Sequence, residues 1–234
     1  MKKVLYKLMI FTSVIFYFSC APAYIPNLVN SPMVSNQGEY KVRAGMAISG
    51  INVSGAYAPI KNIGVMANYS YVSEKYTSGV GSTEHRNSII EGGAGFCKQF
   101  SLYGKFECYA GGGFLQTNFI TATEHFNIIG GRYFIQPSIG HVAENLHVIF
   151  SSRISYVSMK YSTLSVKGLF IEPTVTTSFG AERFKIFFQA GLSVPMEQLM
   201  HNDFSSGTYS IFGIYQPFIL GVGLQFQLDK PEIQ

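Results

Sequence analysis

The chain has 234 residues and a formal net charge of +4, and its composition is 47% hydrophobic, 15% aromatic and only 13% charged. Soluble domains carry about 25% charged residues, so this chain lacks the charge that normally covers a water-facing surface. Its positive charges are scattered, which argues against nucleic acid as a partner, and its three cysteines are too few for a fold that depends on disulfides.

The first 19 residues have the layout of an export signal. Lys2, Lys3 and Lys7 precede an uncharged apolar run over residues 8–18, which is shorter than the roughly 20 residues of a transmembrane helix. Residues 17–20, Tyr-Phe-Ser-Cys, resemble the lipobox of bacterial lipoproteins, although a tyrosine stands where that motif usually has leucine. We expect a signal peptide over residues 1–19 and a lipid on Cys20. Ordinary signal-peptidase cleavage at residues 21–23, Ala-Pro-Ala, is the alternative.

Residues 20–38 contain several prolines and asparagines without periodicity, which predicts an extended, lipid-anchored tether. Beyond it, apolar residues alternate with polar or small ones, as Tyr40 and Val42 do with Lys41 and Arg43. A period of two marks strands with one apolar and one polar face. We therefore predict an all-β fold, an antiparallel up-and-down transmembrane β-barrel over residues 39–229, with a tail at residues 230–234.

The alternation predicts about ten strands, most of them with the 9 to 11 residues that a tilted membrane strand needs. Their polar positions hold mainly Gly, Ser, Thr and Gln, whereas the strands of a soluble sandwich or lipocalin-like barrel carry Lys and Glu there. An eight-stranded barrel is the alternative if residues 39–58 form less than two full strands. The predicted strands are residues 39–48, 51–58, 63–76, 88–99, 103–118, 132–141, 146–160, 167–179, 184–195 and 211–228.

Short and long connections alternate between these strands. Bacterial outer-membrane barrels have short periplasmic turns and longer extracellular loops, so we expect an integral protein of the outer membrane of a Gram-negative bacterium. It would contact outer-membrane lipids as a monomer. The predicted turns are residues 59–62, 100–102, 142–145 and 180–183, and the predicted long loops are residues 77–87, 120–131, 161–166 and 196–210.

The whole chain resembles a family of small outer-membrane β-barrel proteins that carry a lipoprotein signal and a Cys-x-Pro-x-Tyr-x-Pro-Asn tether. The matching residues are Cys20, Pro22, Tyr24, Pro26 and Asn27, followed by Gly-Glu at residues 38–39, where the barrel begins. The resemblance implies a location and a fold. It implies no activity, because the family has no established one.

Several charged residues fall on the polar faces of the predicted strands. An unpaired charge inside a narrow barrel is costly, so these residues should pair with one another, and Arg153 and Glu172 should lie nearly opposite. A ten-stranded barrel has little room once side chains fill it, whereas open pores use roughly 16 to 18 strands. We expect the charges to plug the lumen rather than line a conduction path. The expected members are Arg43, Glu91, Arg153 and Glu172, with Lys41, Glu74 and Arg132 on the same faces.

Histidines and carboxylates recur in three of the predicted loops. A zinc or other divalent ion needs three or four such ligands, so a metal site requires the loops to converge. We predict no histidine in a clear membrane strand beside an inward serine or carboxylate, and we therefore expect no general base for catalysis. We expect neither enzymatic activity nor a cofactor. The candidate metal ligands are Glu84, His85, Glu124, His125, His201 and Asp203.

Cys97 and Cys108 flank a predicted tight turn. A two-residue turn at Leu102 and Tyr103 would place the cysteines opposite each other, within reach of a disulfide. Two small apolar fillers with free thiols are the alternative.

Two functions follow from these expectations. The first is a structural or surface-interaction barrel that displays its loops outside the cell. The second is a small channel or transporter for solutes. The sequence indicates no ligand.

Overall fold

The period-two alternation produces strands along most of the chain. The computed structural model describes residues 24–78, 81–120, 125–161, 164–181, 183–196 and 216–228. Its strands are β1 Tyr40–Ala47, β2 Gly50–Ile60, β3 Ile63–Ser78, β4 Gly81–Gln99, β5 Gly104–Ile120, β6 His125–Val142, β7 Leu146–Tyr161, β8 Leu164–Gly180, β9 Phe184–Leu192, β10 Val194–Pro195 and β11 Phe218–Leu228.

The strands form one closed antiparallel barrel. Each strand from β1 to β8 pairs with the next along the chain, and β9 joins β8 to β11, which pairs with β1. The short β10 continues the register of β9 on β8, because Gly191 faces Thr174 and Val194 faces Ile171. The wall is therefore ten strands around, as predicted. Since β1 and β2 are both complete strands, the eight-stranded alternative is wrong.

The two faces of the barrel wall have inverted polarity. On β1, Val42 is 44% exposed while its neighbours Lys41 and Arg43 are 2% and 4% exposed. On β7, Phe150 and Tyr156 point outward and Arg153 points inward. Soluble proteins bury their apolar side chains and almost never bury Lys or Arg fully unless paired. This wall exposes apolar side chains and buries charged ones, as the alternation predicts.

The two ends of the barrel differ in height. At one end, which we call the turn end, the strands are joined at residues 61–62, 100–103, 143–145 and 181–183. At the other, which we call the hairpin end, strands β3 to β8 extend to lengths of 16 to 19 residues. Strands β1, β2, β9 and β11 have only 8 to 11.

The hairpin end corrects the prediction of long loops. Ser78 faces Gly81, Ile120 faces His125, and Tyr161 faces Leu164. The described residues of the predicted loops 77–87, 120–131 and 161–166 are therefore strand, because their polar residues continue the ladder beyond the apolar part of the wall. Residues 79–80, 121–124 and 162–163 lie outside the described residues. Of the predicted loop 196–210, residues 197–210 lie outside the described residues.

The predicted tether also needs correction, because its described part lies inside the barrel. Residues 24–35, which we call the lumen segment, are all buried. The segment is extended, as predicted, but it crosses the lumen instead of connecting the barrel to an anchor from outside. The chain turns back at residues 36–38, where Gly38 has a φ of 84°, and continues into β1.

Candidate functional site

Four charged side chains meet in the middle of the barrel. Glu91 of β4 contacts Arg132 of β6 and lies 3.2 Å from Arg153 of β7, and Arg153 lies 2.7 Å from Glu172 of β8. All four side chains are inaccessible to solvent. Two positive and two negative charges balance, which offsets the cost of burying each one. We call this set the central charge network.

The central charge network holds the amino end of the lumen segment. The Tyr24 hydroxyl donates a 2.8 Å hydrogen bond to Glu172 and accepts one of 2.8 Å from Arg132. The side-chain amide of Asn27 donates a hydrogen bond to Glu91 at 3.0 Å through its nitrogen. Its side-chain oxygen accepts one from Arg132 at 2.7 Å. The segment thus supplies polar partners that the buried charges require.

Amide side chains on the wall bind the backbone of the lumen segment. Gln189 of β9 accepts a 2.7 Å hydrogen bond from the Val29 amide and donates one of 2.8 Å to the Val29 carbonyl. Asn52 of β2 accepts from the Leu28 amide at 3.1 Å. Gln136 of β6 donates to the Asn30 carbonyl at 2.7 Å. These contacts replace the strand partners that an extended backbone lacks.

A second group of charges surrounds the segment near the turn end. Lys41 of β1 donates to the Pro32 carbonyl, and Lys105 of β5 donates to the Met33 carbonyl at 2.9 Å. Glu107 of β5 accepts a 2.7 Å hydrogen bond from the Met33 amide. The cations bind carbonyl oxygens and the carboxylate binds an N–H, so each charge matches the backbone group that it meets.

The buried apolar residues are arranged around the same segment. Tyr24 packs with Ile89 and Phe170, Leu28 with Phe187 and Ile219, Met33 with Cys97 and Ile149, and Val34 with Met66 and Tyr109. Each of these four clusters contains one residue of the lumen segment. The space left near Asn27, Asn52 and Gln189 is about 20 Å³, room for roughly one water molecule.

The structure brings three of the four predicted lumen charges together. Glu91, Arg153 and Glu172 belong to the central charge network, and Arg153 faces Glu172 across the β7–β8 pair. Arg43 lies elsewhere in the interior, where it donates to Gln225 at 2.9 Å and sits 4.9 Å from the ring centre of Phe187.

The predicted alignment of Cys97 with Cys108 is wrong. Cys97 faces Glu107 and points inward, whereas Cys108 faces Phe96, and both thiols are free. The β4–β5 connection spans residues 100–103 rather than two residues, and the Phe100 amide donates to the Gly104 carbonyl at 2.9 Å. A shift of one residue moves a side chain to the other face of a strand, so the wider turn separates the cysteines.

The described candidates for a metal site are not assembled into one. Glu84 pairs with Arg86 at 2.8 Å, His85 points inward and stacks on Phe119 at 4.7 Å, and His125 is exposed. No group of three metal-binding side chains occurs among the described residues. Glu124, His201 and Asp203 lie outside them, as does the predicted lipidation site Cys20.

Sequence reasoning did not identify the lumen segment as part of the interior. One signal was available, because residues 20–38 contain no charged side chain, whereas segments that remain in water are usually rich in charge. The inward Asn52, Gln136 and Gln189 were a second signal, since buried amides need hydrogen-bond partners.

In the described part of the chain, no helix is both long enough and apolar enough to cross a membrane. No protein-family model matches the sequence, and a comparison with curated proteins gives no match.

Proposed function

We propose that this protein is an integral outer-membrane lipoprotein of a Gram-negative bacterium, a monomeric barrel whose lumen is closed by its own amino-terminal segment. The inverted polarity of the wall carries the proposal. The charged side chains Arg132, Arg153 and Glu172 are fully buried, while large apolar residues cover the outside. Lipid is the solvent that suits an apolar outer face.

The height of the apolar outer face fits a bilayer. On β7, the outward residues from Leu146 to Tyr156 are apolar apart from Ser152, and Ser158 and Lys160 follow. That stretch is eleven residues long, from 146 to 156 inclusive. A tilted membrane strand needs about 9 to 11 residues. We call this apolar part of the wall the apolar band. Tyr133 and Tyr156 lie at its hairpin-end edge, where membrane barrels carry aromatic girdles.

The hairpin end supports a role at the cell surface. Beyond the apolar band the outward residues are polar. Examples are Ser73 and Lys75 on β3 and Gln116 and Asn118 on β5. Paired strands therefore project from the membrane into water on one side of the barrel. We assign to these hairpins a structural or surface-interaction role, and we assign no catalysis to the protein.

A filled lumen favours this role over conduction of solutes. Side chains from β1 to β9 hydrogen-bond to the lumen segment, and the segment occupies the space that a solute would need. The lipid on Cys20 is part of the same proposal and rests on the Tyr-Phe-Ser-Cys sequence at residues 17–20.

Membrane integration is tested by gel migration and extraction. We expect unboiled protein to migrate differently from boiled protein, because a closed barrel resists detergent, and we expect it to stay in membranes washed with alkaline carbonate. Identical migration together with release by carbonate would contradict the membrane barrel. Palmitate labelling of the wild type and of Cys20→Ala tests the lipid separately. Equal labelling of the two would remove the lipoprotein part of the proposal.

A further inference from the structure

The direction of the lumen segment follows from its two ends. At its carboxyl end, the Ser35 carbonyl accepts a 2.8 Å hydrogen bond from the amide of Asn62 in the β2–β3 turn. At its amino end, the Tyr24 carbonyl accepts one of 2.8 Å from the amide of Gln216, which precedes β11 at the hairpin end. The chain therefore crosses the lumen from the hairpin end to the turn end before it begins β1.

Tyr24 lies close to the level where the outer wall changes from apolar to polar. Its ring centre is 4.9 Å from that of Phe170, and Val157 and Met159 of β7 belong to the same buried cluster. Val157 follows Tyr156, the last residue of the apolar band on β7. The amino end of the segment is therefore near the membrane boundary at the hairpin end.

The chain before Tyr24 is too short to return to the turn end. Four residue steps separate Tyr24 from Cys20, and an extended chain covers at most about 14 Å in four steps. The apolar band of an outer-membrane barrel is about 25 Å tall. The direct way back through the lumen is also occupied, because residues 24–35 fill it.

We infer that Cys20 lies at the hairpin end, so that a lipid attached to it enters the membrane leaflet on that side. The inference rests on the lipidation and orientation given under the proposed function. With the hairpins outside the cell, the anchor belongs to the outer leaflet, and the lumen segment links it to the turn end. A tether running outside the wall would instead leave the lipid in the periplasmic leaflet.

Epitope accessibility on cells tests this placement in the full chain. Three variants carry the same short epitope at one position each: between Ala21 and Pro22, in the β7–β8 connection after Tyr161, or in the β6–β7 turn after Glu144. The first keeps Cys20 and Ala21 adjacent, so that the sequence at the lipidation site is unchanged. Heat-modifiable migration establishes that each variant has folded, and antibody binding is measured on intact and on permeabilised cells.

We expect the amino-terminal epitope and the β7–β8 epitope to bind antibody on intact cells, and the β6–β7 epitope to bind only after permeabilisation. An amino-terminal epitope that behaves like the β6–β7 epitope would overturn the inference. If the β6–β7 epitope binds antibody on intact cells and the β7–β8 epitope binds only after permeabilisation, the orientation in the proposed function is wrong. The inference then requires the amino-terminal epitope, like the β7–β8 epitope, to bind only after permeabilisation. Palmitate labelling reports the lipid independently of all three.

A thiol-labelling variant covers the case in which an insertion prevents folding. Ala23→Cys is combined with Cys97→Ala and Cys108→Ala, with Lys160→Cys and Lys61→Cys in the same background as references for the hairpin end and the turn end. We expect a membrane-impermeant thiol reagent to label Ala23→Cys and Lys160→Cys on intact cells. Labelling of Ala23→Cys only under the conditions that label Lys61→Cys would contradict the inference.

Discussion

Glu172 and Glu91 are the two central carboxylates, and each accepts four hydrogen bonds. Glu172 accepts hydrogen bonds from Tyr24 at 2.8 Å, Arg153 at 2.7 Å, Ser155 at 2.9 Å and Ser193 at 3.2 Å. These donors come from the lumen segment, β7 and the residue between β9 and β10. One buried carboxylate therefore connects the segment to two separate parts of the wall.

Neutralising Glu172 should destabilise the barrel strongly. Glu172→Gln keeps the shape but leaves Arg153 with less opposite charge, and breaking a buried ion pair costs about 3 to 5 kcal/mol in free energy of unfolding. The double variant Arg153→Met with Glu172→Leu removes both charges and should recover part of that loss. Urea unfolding of purified protein measures both values.

Glu84→Gln is the matched control for the same chemical change. Its partner Arg86 is 46% exposed, and an exposed pair contributes about 0 to 1 kcal/mol. A double variant no more stable than Glu172→Gln, or a Glu84→Gln loss equal to that of Glu172→Gln, would argue against a stabilising buried pair.

Asn27 should matter because of its place in the lumen segment. Asn27→Ala leaves Glu91 and Arg132 each without one buried hydrogen-bond partner. Losing such a partner lowers the free energy of unfolding by about 1 to 3 kcal/mol, and by more when the group is charged. Asn36→Ala is the control, since Asn36 is exposed. If both changes shift the urea midpoint equally, the lumen segment is not held by these contacts.

Among the strands, the positions and the alignment of β7 with β8 were predictable from the sequence, whereas the alignment of β4 with β5 was not. The alternation of residue types locates β7 and β8 to within a few residues and places Arg153 opposite Glu172. The register of β4 on β5 depends on the backbone of the turn at residues 100–103, which the side-chain pattern does not specify. The lumen segment lacks periodicity, so the strand pattern does not locate it, and its position is defined by its partners on nine different strands.

The β4–β5 register predicts that both barrel cysteines are free. Cys97 and Cys108 lie on opposite faces of the wall, too far out of alignment for a disulfide. After denaturation without reductant, we expect an alkylating reagent to modify both thiols completely. A protected pair that becomes reactive only after reduction would show that the register places Cys97 opposite Cys108 instead.

At the scale of the whole molecule, the barrel and its amino-terminal segment form one packed unit. The wall supplies charges and amides that would be costly to bury alone, and the segment supplies the complementary groups. The segment runs from the hairpin end to the turn end, and we propose that this arrangement closes the lumen and sets the side of the membrane at which the segment emerges. Without the segment, the inward charges and amides of the wall would lose hydrogen-bond partners. Without the wall, the backbone and side chains of the segment would lose theirs.

Single-channel recording in planar bilayers tests the proposal that the amino-terminal segment closes the lumen. The comparison is between the wild type and a variant in which residues 24–35 are replaced by a Gly-Ser sequence of equal length. The replacement removes the hydrogen bonds of Tyr24 and Asn27 with the central charge network and the apolar packing of the segment. We expect the wild type to be silent and the variant to conduct, because the loosened segment no longer fills the barrel. Steady conduction by the wild type, with the same amplitude as the variant, would contradict a lumen closed by its own amino-terminal segment.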